Sequence, residues 1–267
     1  MDGHDPDADI VLLLSNPGYP GMVGRDVEQA ASIAAALSPA ATQRVAIPVS
    51  SGQVDGQTYA AFTRRVLPNS NRLKFWLYRH FVAPRIATWL TEVASDSRVD
   101  VVEAVDRERL FCEPLAALAE DSRMPEAVRS DVEESYAFVR RPEAALFTSV
   151  EHGDFWFGNV LVPRRSRLGW GPFSGEFHVI DWGGSRLDGY ACIDVVRYAL
   201  SLYRPGSRAA GRMLHLYCRA LGISGEQARA FCYTSLAQLG FRLEEFPVSR
   251  YVELVRQVSG YLALHTR

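Results

Sequence analysis

The sequence predicts an α+β protein with two unequal lobes, a small lobe that contains β-strands and a larger lobe that is mainly helical. Before residue 67, apolar runs rich in β-forming residues flank one Ala-rich helical segment; after it, helical patterns dominate. A chain of 267 residues is long enough to bury a full core and to divide into two lobes. We therefore expect a reduced N-terminal lobe over residues 1–67 and a C-terminal lobe over residues 68–267, with the boundary near Pro68.

The small lobe is expected to contain a strand, a helix and two further strands. The first strand is predicted at residues 9–15, and the acidic first turn and Ala-rich body of residues 26–37 predict a helix. Residues 44–49 and 58–67 are predicted to be strands, joined by a Gly-containing turn at residues 51–56.

The larger lobe is expected to be helical from residue 72 to Val139, with Pro84 and Pro114 marking kinks or helix starts. A short apolar run at residues 145–150 predicts a strand. Four helices are predicted towards the C-terminus, at about residues 190–203, 207–221, 224–239 and 248–265.

Two linked motifs carry the chemistry, His152-Gly-Asp154-Phe-Trp-Phe-Gly-Asn159 and then Val179-Ile-Asp181-Trp-Gly183. An Asp, an Asn five residues later and a second Asp at the end of an apolar strand are typical of phosphoryl transfer. The first carboxylate can accept the proton of an attacking hydroxyl. The Asn oxygen and the second carboxylate are hard ligands that suit Mg²⁺, which holds nucleotide phosphates.

The context of these motifs predicts a hairpin. Residues 159–162 and 176–181 have strand composition, and the Arg-, Gly- and Ser-rich residues 163–175 between them predict a turn. Antiparallel pairing would bring Asn159, at the start of the first strand, close to Asp181, at the end of the second. A shared metal ion requires that proximity.

At these residues the chain resembles the aminoglycoside phosphotransferase and choline kinase-like family of small-molecule kinases. The resemblance implies a protein kinase-like two-lobe fold, with Asp154 as catalytic base and Asn159 and Asp181 as Mg²⁺ ligands. It also implies that His152 ties the catalytic loop to the metal-binding strand. Asp194 corresponds to an Asp that opens the next helix of the family and supports the site.

The chain departs from the family's pattern at the phosphate side of the nucleotide site. The first two strands and their Gly-rich loop have no room before Asp9, and the usual Lys of the next strand is absent, since Lys74 is the only lysine. Glu28 matches the helical partner of that Lys, and Arg25 is a weak replacement for it. Three accounts stay open: an unconventional kinase, a chain whose start lies upstream, and an inactive or nucleotide-binding relative.

A glycine-rich segment of the small lobe has the layout of a phosphate-binding turn. Gly18, Gly21 and Gly24 recur every three residues between the first strand and the first helix, as in a phosphate-binding turn. The spacing differs from the dinucleotide-binding pattern, and a Pro- and Gly-rich connector is the simpler interpretation.

The composition fits a soluble enzyme. A formal net charge of -2 gives no support for nucleic-acid binding, and the sequence has no apolar run long enough to cross a membrane. The acidic N-terminus lacks the basic start of a signal peptide. Four cysteines without C-x-x-C spacing favour free thiols in a reducing cytoplasm, so we expect a cytoplasmic protein.

The expected function is transfer of the terminal phosphoryl group of ATP or GTP to a hydroxyl of a small molecule, with Mg²⁺ as cofactor. The alternative is a degenerate kinase-like protein that binds nucleotide or regulates a partner without turnover. Glu244, Glu245, Glu253 and Asp188 either line an acidic cleft for a cationic substrate or form a solvated face.

Overall fold

The structure is a computed structural model that describes residues 10–68, 72–163, 175–204, 206–241, 243 and 247–266. The predicted acidic N-terminus, most of the 163–175 turn, and Glu244 and Glu245 therefore lie outside the described residues. The chain divides into two compact units. The first comprises Met1–Trp89 and Phe157–Ser185, and the second comprises Leu90–Trp156 and Arg186–Arg267.

The described residues form nine strands and eleven α-helices. The strands are β1 (Ile10–Leu14), β2 (Ser50–Val54), β3 (Gln57–Thr63), β4 (Arg65–Val66), β5 (Val99–Asp100), β6 (Phe147–Glu151), β7 (Val160–Pro163), β8 (His178–Val179) and β9 (Arg186–Gly189). The helices are α1 (Met22–Ala36), α2 (Pro39–Thr42), α3 (Arg72–Leu77), α4 (Ala83–Asp96), α5 (Ala104–Arg107), α6 (Glu113–Glu120), α7 (Glu126–Val139), α8 (Ile193–Leu202), α9 (Arg208–Leu221), α10 (Gly225–Gly240) and α11 (Val248–His265).

The first unit contains an antiparallel sheet in the order β1-β3-β2. Strands β2 and β3 are joined by the dipeptide Asp55-Gly56, whose φ angles of 49° and 78° are those of a tight hairpin turn. The prediction of a strand at residues 44–49 was therefore wrong, and the turn predicted at 51–56 is confined to Asp55-Gly56. Residues 50–54 form the strand, and Val45 makes only an isolated bridge to Val179.

Strand β1 lies at the edge of this sheet and is apolar along its whole length. All five of its side chains are exposed, from 38% for Val11 to 62% for Leu12. The strand predicted at residues 9–15 is therefore present, and its Ile, Val and three Leu side chains are exposed.

Two segments of π-helix interrupt the helical region, as Pro84 and Pro114 predicted. Residues Tyr78–Val82 lead into α4, and Glu108–Cys112 lead into α6, each ending just before the proline. Proline has no backbone N–H to donate to the carbonyl four residues earlier, so the helix widens there instead of continuing regularly.

The second unit has β6 at its centre. All five β6 residues are buried, and β6 pairs with β5 on one side and β9 on the other. The four predicted C-terminal helices are confirmed within three residues at each end. Local caps explain this, because Ser207 and Ser224 accept backbone N–H bonds at the starts of α9 and α10, and Gly222 ends α9 in a left-handed conformation.

None of the helices in the described part of the chain is both long and apolar enough to cross a membrane. The cytoplasmic location and the lobe boundary near Pro68 stay predictions.

A substitution at Gly189 tests how closely β9 packs against β6. A Cβ atom at Gly189 would lie 2.2 Å from the Cβ of Glu151, on the neighbouring strand, so Gly189→Ala is expected to lower the free energy of unfolding by about 1–3 kcal/mol. Gly184→Ala is the control, because its Cβ would meet nothing within 4 Å and its effect should stay within about 0.5 kcal/mol. Urea titration measures both; equal effects would contradict the described contact.

Candidate active site

The loop that carries Asp154, the predicted catalytic base, follows β6 in the second unit. Strand β6 ends at the buried Glu151, and His152 is only 2% exposed, whereas the Asp154 side chain is 52% exposed. Gly153 has φ of 79°, a conformation that glycine adopts without strain. The chain thus turns sharply at Gly153, leaving His152 in the core and Asp154 at the surface.

Asp194, at the start of α8, fixes the backbone of this loop. Its Oδ2 accepts the His152 N–H at 2.7 Å and its Oδ1 accepts the Gly153 N–H at 3.0 Å. Burial, together with the neighbouring charge of Glu151, raises the pKa of Asp194 to about 7 despite these bonds. The supporting role implied for Asp194 by the resemblance matches these contacts.

Glu151 is a second carboxyl group buried beneath the loop. Its Oε2 accepts the Tyr190 N–H at 2.7 Å, and its Oε1 accepts the Ser235 hydroxyl at 2.9 Å. Burial raises the pKa of this carboxyl group as well. Nothing in the local sequence pattern marked Glu151, because its partners come from β9 and α10.

Arg197 lies one helical turn after Asp194 and brings a positive charge to the same place. Its Nη1 donates to the Gly153 carbonyl and its Nη2 to Asp154 Oδ1. The Arg197 side chain is 15% exposed. Arg197 was not predicted as a site residue, although its position three residues after Asp194, on the same face of α8, was a usable signal.

The predicted metal-binding hairpin is formed in the first unit. Strands β7 and β8 pair antiparallel, with Val160 opposite Val179, and the Ile180 N–H donates to the Asn159 carbonyl at 3.1 Å. Asn159 immediately precedes β7 and Asp181 follows Ile180, so the structure brings these two together as predicted. Strand β8 is shorter than predicted, covering only two residues.

Asp181 is exposed and has φ of 66°, an uncommon conformation for a residue other than glycine. The turn after it is anchored by the next residue, because Trp182 is 1% exposed and its indole N–H donates to the Val179 carbonyl at 2.9 Å. The buried indole therefore holds the Asp181 carboxylate at the rim of the hairpin. Core packing accounts for Trp182.

Asp26, the fifth residue of α1, is an acidic residue close enough to Asp181 for the two charges to interact. The backbone N–H groups of Trp182 and Gly183 donate to its carboxyl group, while its Oδ1 is buried and has no hydrogen-bond partner among the described residues. Burial, with the nearby charge of Asp181, raises the pKa of Asp26. Glu28, predicted for the helical role, is exposed on the same helix, as is Arg25; their tentative nucleotide-binding roles stay predictions.

This donor set fits a hard divalent cation. The carboxylates of Asp26 and Asp181 lie close together, and neither takes part in a described ion pair with a basic side chain. One buried oxygen, Asp26 Oδ1, has no hydrogen-bond partner among the described residues. The described residues contain no group of three or more His, Cys, Asp or Glu that forms a complete protein cage for a metal. An incomplete oxygen set of this kind suits Mg²⁺, which usually keeps several waters and takes further ligands from phosphates.

The glycines between β1 and α1 act as a connector. The first three N–H groups of α1 are already bonded, Met22 to the Tyr19 carbonyl, Val23 to Ser15 Oγ and Gly24 to Thr58 Oγ1. A phosphate at this helix start would have to displace those bonds. The geometry supports the connector interpretation that the spacing favoured.

The fold is that of small-molecule kinases. The structure matches the GDP and kanamycin complex of APH(2")-IIia with a TM-score of 0.54 and 11% identity, over 96% of this chain and 87% of that chain. It matches a thermostable mutant of aminoglycoside phosphotransferase APH(4)-Ia with a TM-score of 0.53 and 12% identity, over 95% and 86%. It matches a glucosamine kinase with a TM-score of 0.50 and 16% identity, over 95% and 74%.

The likeness lies in the structure and not in detectable sequence similarity. No protein-family model and no curated protein matches the chain. The predicted fold class, a kinase-like two-lobe α+β fold, is confirmed.

The pKa of Asp194 predicts how stability changes with pH. This carboxyl group holds its proton up to about pH 7 in the folded state but only up to about pH 3.8 in the unfolded state. Its contribution to the free energy of unfolding is therefore fully present below about pH 3.8. That contribution falls as the pH rises above about 3.8 and is lost once the pH has passed through about 7. Between these values the free energy of unfolding falls by up to about 1.4 kcal/mol per pH unit. Asp194→Asn removes this slope. Urea titrations at several pH values should show the variant and the wild type diverging between about pH 4 and 7; parallel curves would refute the assignment.

Proposed function

We propose that the protein transfers the terminal phosphoryl group of ATP or GTP to a hydroxyl group of a small molecule. The observation that carries the proposal is the presentation of Asp154. Its loop backbone is bonded to Asp194 from below, and its carboxylate is left half-exposed at the surface. A carboxylate that is held rigidly and still reaches solvent can meet a substrate hydroxyl.

Asp154 is assigned the role of general base. Its carboxylate accepts the proton of the acceptor hydroxyl as the oxygen attacks the phosphorus, and the nucleoside diphosphate leaves. Catalysis of this reaction depends mainly on positioning and on charge neutralisation, and the rigid loop contributes to positioning.

Asn159 and Asp181 are assigned to Mg²⁺, with Asp26 beside them. The metal ion, when bound, neutralises charge on the nucleotide phosphates. The chain's own contribution is to hold two oxygen-bearing side chains at adjacent ends of one hairpin, through the Asn159–Ile180 backbone bond and the buried Trp182. Asp26 accepts the N–H groups of the turn after Asp181 and so fixes the direction of that carboxylate.

The alternative function is nucleotide binding without turnover. It is favoured by one observation, the absence of Lys from β1, where Leu13 and Leu14 occupy the expected position. The combined presence of Asp154, Asn159 and Asp181 favours catalysis. Activity of the Asp154 variant separates the two functions.

Asp154→Asn is expected to lower the rate of phosphoryl transfer by roughly 10²–10⁴-fold, because the amide cannot accept the hydroxyl proton. Kanamycin, hygromycin B and glucosamine are suitable first acceptors, since proteins of similar fold are described with them. Transfer from ATP and from GTP is measured as nucleoside diphosphate release.

The control for this variant is nucleotide binding, followed as the ligand-induced rise in melting temperature. The rise should be the same in Asp154→Asn and the wild type, because the base is assigned to the acceptor side. A variant as active as the wild type would exclude Asp154 as base, and nucleotide binding by an inactive wild type would favour the alternative function.

Nucleotide affinity is expected to be weak and to depend strongly on Mg²⁺. A charge-assisted bond to a phosphate contributes roughly 1.5–3 kcal/mol, so the missing Lys weakens binding at least tenfold. Asp26→Asn should reduce the Mg²⁺-dependent part of the thermal shift, with Asp188→Asn, an exposed carboxylate on β9, as control. Micromolar affinity without Mg²⁺ would contradict this expectation.

A further inference from the structure

The guanidinium group of Arg197 contacts the loop that carries Asp154. Its Nη1 donates to the Gly153 carbonyl, and its Nη2 to Asp154 Oδ1. Asp194 accepts the N–H groups of His152 and Gly153, on the other side of the Gly153 backbone. Gly153 is thus held at both its N–H and its carbonyl by one turn of α8.

The charges around Arg197 explain why an arginine occupies this place. Glu151 and Asp194 are both buried, and the positive charge of Arg197 lowers the pKa of each carboxyl group, against the larger effect of burial. Asp154 adds a third carboxyl group. The guanidinium of Arg197 therefore lies close to three acidic side chains, and Arg186 also lowers the pKa of Glu151. An arginine suits this position because its planar fork can bond two acceptors at once, which a lysine ammonium does less well.

We infer that Arg197 is a positioning residue of the reaction, which orients the Asp154 carboxylate by bonding one of its oxygens while holding the Gly153 carbonyl. This inference rests on the proposed function. Arg197 lies outside the proposed catalytic motif. It acts from helix α8 and not from the loop.

The bond from Nη2 restricts rotation of the Asp154 carboxylate, and the bond from Nη1 fixes the peptide from which that side chain projects. Losing Arg197 should therefore affect the chemical step more than substrate binding. Misorientation of a catalytic group commonly costs rate without a matching loss of affinity.

The test compares Arg197→Met, Arg197→Lys and Arg197→Ala with Arg229→Met. Arg229 is a matched control, because its side chain is 13% exposed and forms an ion pair at 3.8 Å with Glu134, itself 61% exposed, and neither residue lies on α8. The measured reaction is phosphate release from Mg·ATP and Mg·GTP with water as acceptor, and transfer to any acceptor that the wild type uses.

Arg197→Met should lower kcat roughly ten- to hundredfold, with KM for nucleotide within about threefold of wild type. Arg197→Lys should restore part of the rate. Millimolar guanidinium should partly rescue Arg197→Ala, an effect that a purely structural role would not produce. Arg229→Met should leave kcat unchanged. An unchanged kcat in Arg197→Met, or a loss matched by Arg229→Met, overturns the inference.

Amide hydrogen exchange of residues 150–156 separates this inference from the proposed function. Arg197→Met should raise exchange in that segment, while Arg229→Met should not. If the wild type shows no turnover, the proposed function and the catalytic role of Arg197 both fall, and the exchange data decide whether Arg197 still holds the loop. If the wild type is active and exchange in the segment is unchanged, the positioning role alone is wrong.

Discussion

The burial of the Asp194 carboxyl group under the His152–Gly153 backbone is the constraint on which the loop after β6 depends. A carboxyl group in that position has a cost in desolvation, seen in its raised pKa, and the two backbone N–H bonds offset part of it. The same bonds hold the loop in a sharp turn at Gly153. A loop built in this way keeps its shape without a ligand, because its shape is set from the helix beneath it.

The β7–β8 hairpin is organised by a different principle. There a buried indole and one interstrand backbone bond hold the turn, and the charged groups lie at the periphery. Asp26 links this hairpin to the start of α1. Helix α1 therefore carries a carboxyl group beside that of Asp181, and it is bonded to the turn through the Trp182 and Gly183 N–H groups.

Much of the fold and the central motif could be predicted because their signals are local. Ser207, Ser224 and the prolines mark helix boundaries within a few residues, and the spacing of Asp154, Asn159 and Asp181 is a short-range pattern. Asp26 and Glu151 were not predicted, since their partners are distant in the sequence and no local spacing marks such contacts. The first strand of the β2–β3 hairpin was misplaced although Asp55-Gly56 is a strong turn signal, because the Gly- and Ser-containing residues 51–54 were assigned to the turn.

The apolar edge strand β1 has a consequence for how the protein behaves in concentrated solution. Five exposed aliphatic side chains with no charge and no proline lack the features that keep edge strands from pairing with other chains. Such a strand favours intermolecular β-pairing, so colloidal stability here rests on the charge carried by the rest of the surface. With a formal net charge of only -2, that protection is small, and a single lysine introduced within β1 would act as a gatekeeper against cross-β assembly.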